Sequence, residues 1–375
     1  MVQKITLGTA QSSPGAIQYG WWQAFDHPTG ITECLPVIIA QGIEEGPCLW
    51  LTAGIHGPEQ AGPLVIYRLI TQDLVNQMRG TIVAIPALNP VGLRTNQREP
   101  YHAPSDPNRL WPDGKPRQVN DPDKDPPSSL EQAYQRLFDE IKASANCLID
   151  YHCAWTGSLS FAFYDRVLYR SDGDEELSKK EALALAEKQL DLLHAYGHTI
   201  VSEMPAEKLL DDDLHRSTSA AIYYLLRLPA FTVELGTGEV PDPSIVAASV
   251  SGTRNVMRRM GMLDGDLEPV TGIRVVDPGF PVRRCSAPRV NQACVVIHLV
   301  EAGDLVRAGD PVAEIRDILG RPIGDGLLRS EYDGFVIGRQ HGIYYYPGAA
   351  VLCLAIRDDA PRIAPYPADY FQKPV

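Results

Sequence analysis

A chain of 375 residues exceeds what one compact core usually holds, so one large domain and one small one are expected. Hydrophobic residues make up 44% and charged residues 22%, the balance of an ordinary globular protein. A formal net charge of −13 argues against nucleic acid or an anionic membrane surface as partner, since both need a basic face.

The first twenty residues hold one early lysine, Lys4, and no apolar core of the signal-peptide kind. The longest apolar runs, such as 36–40 and 294–300, have the length of strands and fall far short of a membrane span. Seven cysteines occur without a CxxC pair, which fits a reduced cytoplasm better than a disulfide framework or a cysteine-based zinc knot. Cys48, Cys147, Cys294 and Cys353 lie in or beside apolar runs, where cysteine behaves as a small hydrophobe. The expectation is a cytoplasmic protein with no membrane partner, and a homo-oligomer is the default assembly.

Short apolar runs rich in β-branched residues read as strands at 36–40, 48–53, 81–87, 147–151, 199–202 and 230–235. Between them, 60–78, 130–143, 178–195 and 217–227 carry apolar residues at helical spacing. Strands alternating with helices predict an α/β sandwich around a largely parallel sheet. The segment 95–129 is irregular and rich in proline, aspartate, asparagine and arginine. A loop of that length in a compact domain usually serves as a lid or a binding wall. After about residue 272 short strands recur between glycine- and aspartate-containing turns, at 295–300, 312–315, 334–338 and 351–356. This predicts an α/β domain over 1–271 and a small all-β barrel or sandwich over 272–375 appended to it.

Chemistry-bearing residues gather at the strand ends. The first strand to do so runs into His56-Gly57-Pro58-Glu59, where His and Glu three positions apart can share a metal. HxxE alone is weak, and a capped helix entry with a surface histidine explains it equally well. A second strand ends in Asp150-Tyr151-His152, with Asp150 on the same side as His152 and able to orient its ring. Two histidines and a glutamate make the donor set of a catalytic zinc that leaves one position for water. A third strand delivers Glu234, a carboxylate able to take a proton from that water, although a turn-capping role is the bland alternative. Between the two histidine segments lie Arg94, Arg98, Asn108 and Arg109. Arginines bind carboxylates bidentately and stabilise oxyanions, but on composition alone they are also ordinary surface charges.

At these segments the sequence resembles the succinylglutamate desuccinylase/aspartoacylase family, relatives of the zinc carboxypeptidases. The matching pieces are His56-Gly57-Pro58-Glu59, Asn89-Pro90, Arg98, Asn108-Arg109, His152 and Val233-Glu234-Leu235-Gly236, in that order. Two departures stand out. The usual HGDE is HGPE here, and the loop between Arg98 and the Asn-Arg pair is longer.

The resemblance implies a carboxypeptidase-like α/β/α sandwich with a mixed, mainly parallel sheet. It implies one Zn2+ per chain held by His56, Glu59 and His152, with Glu234 as general base and then acid. It further implies that Arg98 polarises the scissile carbonyl and that Asn108 and Arg109 hold a substrate carboxylate. Arg216 and Tyr345 are further candidates for substrate contact, weighed against a charged helix entry and core packing respectively. The implied activity is zinc-dependent hydrolysis of the amide bond of a small N-acylated amino acid. A carboxypeptidase or esterase on the same site, and an inactive zinc-binding or ligand-sensing protein, are the competing readings. The C-terminal strands are similar to lipoyl-type carrier barrels, but no lysine occurs between Lys208 and Lys373, so no carrier arm can be attached there.

Overall fold

The computed structural model describes residues 4–115 and 126–372; part of the expected wall at 95–129, residues 116–125, lies outside them. Strands β1 (Ala16–Asp26), β2 (Thr32–Gln41), β3 (Glu44–Ala53), β4 (Arg79–Ile85), β5 (Cys147–Ala154), β6 (Ser160–Phe163), β7 (Thr199–Val201) and β8 (Ala230–Thr237) form one sheet. Their order is β7-β6-β8-β5-β3-β4-β2-β1. The central four, β8-β5-β3-β4, are parallel, whereas β6 runs antiparallel to β8 and β2 antiparallel to both its neighbours.

Successive strand residues face opposite sides, so burial of every residue from Cys48 to Ala53 means both faces of β3 are covered. The same holds for β5 from Cys147 to Cys153. This is why these strands read as continuous apolar runs. The expected mixed, mainly parallel α/β architecture is what the chain adopts.

Local signals fix the helices. Ser128 and Glu131 form a reciprocal capping box at the start of Ser129–Ser144. Asp174 caps Glu175–Tyr196, which Gly197 ends in a left-handed conformation. The stretch 60–78, read as one helix, is two, Ala61–Leu69 and Gln72–Gln77. Thr71 between them is extended, and its hydroxyl accepts from Leu74 N to start the second. Gly62 lets the first of these helices press against the sheet: a Cβ there would stand 2.8 Å from the Cβ atoms of Ala53 and Tyr151.

The C-terminal region is an open sandwich of two four-stranded antiparallel sheets, and no barrel closes among the described residues. One sheet comprises Val282–Ser286, Leu352–Arg357, Gly334–Arg339 and Leu305–Val306; the other comprises Pro322–Arg329, Pro311–Arg316, Cys294–His298 and Tyr344–Tyr345. Val296, Val312, Val336, Leu352 and Leu354 fill the space between them. The sandwich is fastened to the α/β body at its β6–β7 edge. Phe161, Phe163 and Val201 pack with Val282, Phe335 and Ile337. Ser202 N bonds Val282 O, and Arg284 N bonds Ser202 O. The chain then returns to the body, where Ile363–Pro365 pairs with Val167–Tyr169 and Tyr366 and Tyr370 enter the main core. No disulfide forms among the described cysteines, and Cys48, Cys147, Cys294 and Cys353 are all buried. No helix among the described residues is long and apolar enough to cross a membrane.

Candidate active site

The carboxyl ends of β3, β5 and β8 converge, as open parallel sheets require of a binding site. His56 lies three residues beyond β3 on a loop that Asn89 fastens. The Asn89 backbone N–H donates to Gly54 O at 3.0 Å and its side-chain amide to Ile55 O at 3.0 Å. Gly57 is required beside it, because a Cβ there would sit 2.0 Å from Gly92 O. His152 belongs to β5 itself and stands in register with Glu234 on the neighbouring parallel strand.

Glu59 bridges the two histidines. Its Oε1 lies 2.7 Å from His56 Nδ1 and its Oε2 lies 2.9 Å from His152 Nδ1. The opposite ring nitrogens face carboxylates as well, with His56 Nε2 2.9 Å from Asp106 and His152 Nε2 2.9 Å from Asp150. Burial disfavours charge on either ring, but Glu59 together with Asp106 outweighs it and raises His56. Asp150 and Glu59 likewise hold His152 well above the ordinary imidazole range. Burial would raise Glu59, yet the two histidines hold it below the usual carboxylate range.

A neutral imidazole donates from one nitrogen only. With Asp106 and Asp150 accepting at the Nε2 positions, both Nδ1 lone pairs are aimed at Glu59, and that face needs positive charge, from protons or from a metal. Ligand atoms of His56, Glu59 and His152 all lie within 4.8 Å of one another, so the donor set fits a zinc-type ion.

Around this cluster opens a cavity of about 720 Å³, lined among others by Arg98, Asn108, Arg109 and Glu234. Glu234 Oε2 is shielded from solvent and has no hydrogen-bond partner among the described residues. Burial pushes Glu234 up to about 7, with His152 opposing and Glu59 adding to the rise. Arg98 is half exposed and tethered by Asp106 Oδ2 at 2.6 Å. The Oδ1 of Asn108 accepts from both the backbone N–H and the hydroxyl of Thr218.

Two expected substrate contacts are placed elsewhere. The Arg216 guanidinium pairs with Glu131 at 3.0 Å and donates to Trp111 O at 3.1 Å, so it ties the loop 107–111 to a helix start. Tyr345 is 5% exposed and packs in the core of the C-terminal sandwich. Neither lines the cavity.

The structure also brings in residues the sequence reading did not single out. Asp106 binds both His56 and Arg98. Asp165, Glu203 and Arg284 also line the cavity, the last supplied by the C-terminal sandwich. Glu203 follows the strand expected at 199–202, so the strand-end logic that nominated His152 would have found it. Asp165 follows β6, a strand too short to read, and Arg284 carried no local signal.

Fold and cluster together define an α/β protein with a His-Glu-His centre at the carboxyl ends of its parallel strands. The chain belongs to the succinylglutamate desuccinylase/aspartoacylase family, whose catalytic-domain model matches residues 45–260. It is 21% identical over 299 residues to the N-alpha-acetyl-L-2,4-diaminobutyric acid deacetylase of Halomonas elongata, covering 79% of this chain and 78% of that one. Among solved structures it resembles a succinylglutamate desuccinylase from Silicibacter sp. TM1040, with a TM-score of 0.69 at 16% identity over 94% of this chain and 100% of that one. It also resembles the product-bound ectoine utilization protein EutE (DoeB) of Ruegeria pomeroyi, with a TM-score of 0.68 at 17% identity over 91% and 95% of the two chains. At such identities the structural likeness speaks for the fold.

Proposed function

We propose that the protein is a zinc-dependent hydrolase that cleaves the amide bond of a small N-acylated amino acid. One observation carries this reading: the His56–Glu59–His152 cluster and the unpartnered carboxyl of Glu234 face the same cavity. The family and the deacetylase named for Halomonas elongata support the same class of reaction.

His56, Glu59 and His152 would hold the metal. Bound there, zinc supplies Lewis acidity and brings the pKa of water toward neutrality. Glu234 takes the proton of the attacking water at Oε2 and later gives it to the leaving nitrogen, as the C–N bond breaks and the new C–O bond is kept. The Arg98 guanidinium donates to the developing oxyanion. Arg109, beside Asn108, holds the substrate carboxylate by charge-assisted hydrogen bonds.

The test is elemental analysis of the purified protein and of His56→Ala, followed by a panel of acylated amino acids, peptides and esters. About one zinc per chain that is lost in the variant, with turnover of acylated amino acids, is expected. No metal after zinc is supplied would overturn the reading. Stoichiometric zinc with no turnover on any panel member would favour a zinc-binding protein without catalysis.

A further inference from the structure

A second cavity, of about 310 Å³, opens at the seam where the C-terminal sandwich docks on the α/β body. The body supplies Lys208, on the helix Ala206–Asp211 that follows β7. The sandwich supplies Arg283 and Arg289, from the strand Val282–Ser286 and the turn after it, and Glu331 from the turn before Gly334–Arg339. Three cations therefore line the space against one carboxylate.

None of the three makes an ion pair among the described residues. Arg283 donates to Arg284 O at 3.3 Å and Arg289 to Gly348 O at 2.7 Å, which leaves both charges unmatched. Arg284 also borders this cavity, but its charge is held by Glu203, which lines the main cavity and not this one. Elsewhere on the sandwich Arg316, Arg321, Arg329 and Arg357 each pair with a carboxylate. In a chain of net charge −13, three unmatched cations around one space are a local exception. They stand on both sides of the seam and repel one another, so an anion between them would draw the two sides together.

We propose that Lys208, Arg283 and Arg289 form an anion site that takes the phosphate group of a small ligand and fastens the sandwich to the body. A carboxylate is planar, and one guanidinium fork satisfies it. A phosphate presents oxygens in several directions and suits cations that arrive from separate segments. Ser286 and Tyr332 add hydroxyls to the lining. A cavity of this volume leaves room beside the phosphate for a small organic part. Glu331 works against the anion and keeps the site from being a sink for any negative charge. The site lies outside the main cavity and does not rest on the hydrolase reading.

The test is calorimetry of the purified full chain with inorganic phosphate. Succinate and chloride at matched ionic strength are the controls, because salt screens exposed charges. A saturable phosphate site is expected, weakened about 10-fold in Lys208→Gln and in Arg289→Gln. Glu331→Gln should tighten it, a change that general damage to the fold would not produce. Arg109→Gln should leave it unchanged, since Arg109 lines the main cavity. Phosphate should also raise the melting temperature of wild type, and raise that of Lys208→Gln less. Absence of saturable phosphate binding in wild type overturns the site. Binding that Arg109→Gln abolishes and the two seam variants leave intact overturns it too, because the ion would then sit in the main cavity. Succinate bound as tightly as phosphate overturns the assignment to a phosphate group.

Discussion

His152 Nε2 donates to the fully buried carboxylate of Asp150 at 2.9 Å, and the hydroxyl of Thr52 donates to the other oxygen of Asp150 at 2.7 Å. Thr52 and Asp150 are register partners on β3 and β5, so the acceptor is locked in the sheet. It holds the ring by Nε2 and leaves Nδ1, which faces Glu59 at 2.9 Å, as the nitrogen that would bind a metal. Asp150→Ala should weaken zinc binding by about 10- to 100-fold, measured by competition with a chromogenic chelator. Unchanged affinity would mean that packing alone orients the ring.

Glu234 is assigned the proton transfers because it stands in register with His152 and carries an unpartnered oxygen. Glu234→Gln keeps the shape and removes the base. Turnover should fall about 10²- to 10⁴-fold with zinc content unchanged. A variant that loses zinc along with activity would place Glu234 among the groups that hold the metal.

Much of this site was legible because a parallel α/β sheet presents it at strand ends. Apolar runs ending in His152 and Glu234, and one leading into His56, announce both the fold and the convergence. What stayed hidden lacks a periodic signal. On β1 the exposed face carries Tyr19 and Trp21 beside the buried Trp22 and Ala24, which blurs the alternation, and the buried face of helix Pro243–Arg259 includes Ala248, Ser249, Gly252, Thr253 and Asn255, which are small or polar. Arg284 reaches the cavity only because the C-terminal sandwich docks on β6 and β7, a contact no local pattern encodes. Arg216 illustrates the converse. Its neighbourhood suggested a substrate contact, but Glu131, 85 positions away, takes its charge.

Arg216→Ala therefore tests a structural tie rather than a substrate contact. The pair with Glu131 is largely shielded from solvent, and the same guanidinium satisfies Trp111 O. Its loss should cost about 1–3 kcal/mol in denaturant unfolding. The expected effect on KM for any acylated amino acid is small. A large rise in KM with little loss of stability would return Arg216 to the substrate.

His198 gives the protein a pH dependence away from the His56–Glu59–His152 cluster. Its Nδ1 lies 2.7 Å from Ser160 Oγ, which donates onward to Glu234 O at 2.9 Å, so Nδ1 carries the hydrogen. Its Nε2 is buried without a partner among the described residues, and the titratable side chain packed against the ring is Tyr196, which burial keeps neutral. Burial lowers His198 from 6.5 to about 3. As pH falls below 6.5 the unfolded chain takes up a proton at this residue, while the folded chain does so only near 3. The stability it contributes is therefore complete above 6.5 and is lost progressively between the two values, by at most about 1.4 kcal/mol per pH unit. Urea unfolding of wild type and His198→Gln across that range should give a shallower pH slope for the variant. Parallel slopes would mean that the folded protein accepts the proton, and that this end of the sheet opens to water before it unfolds.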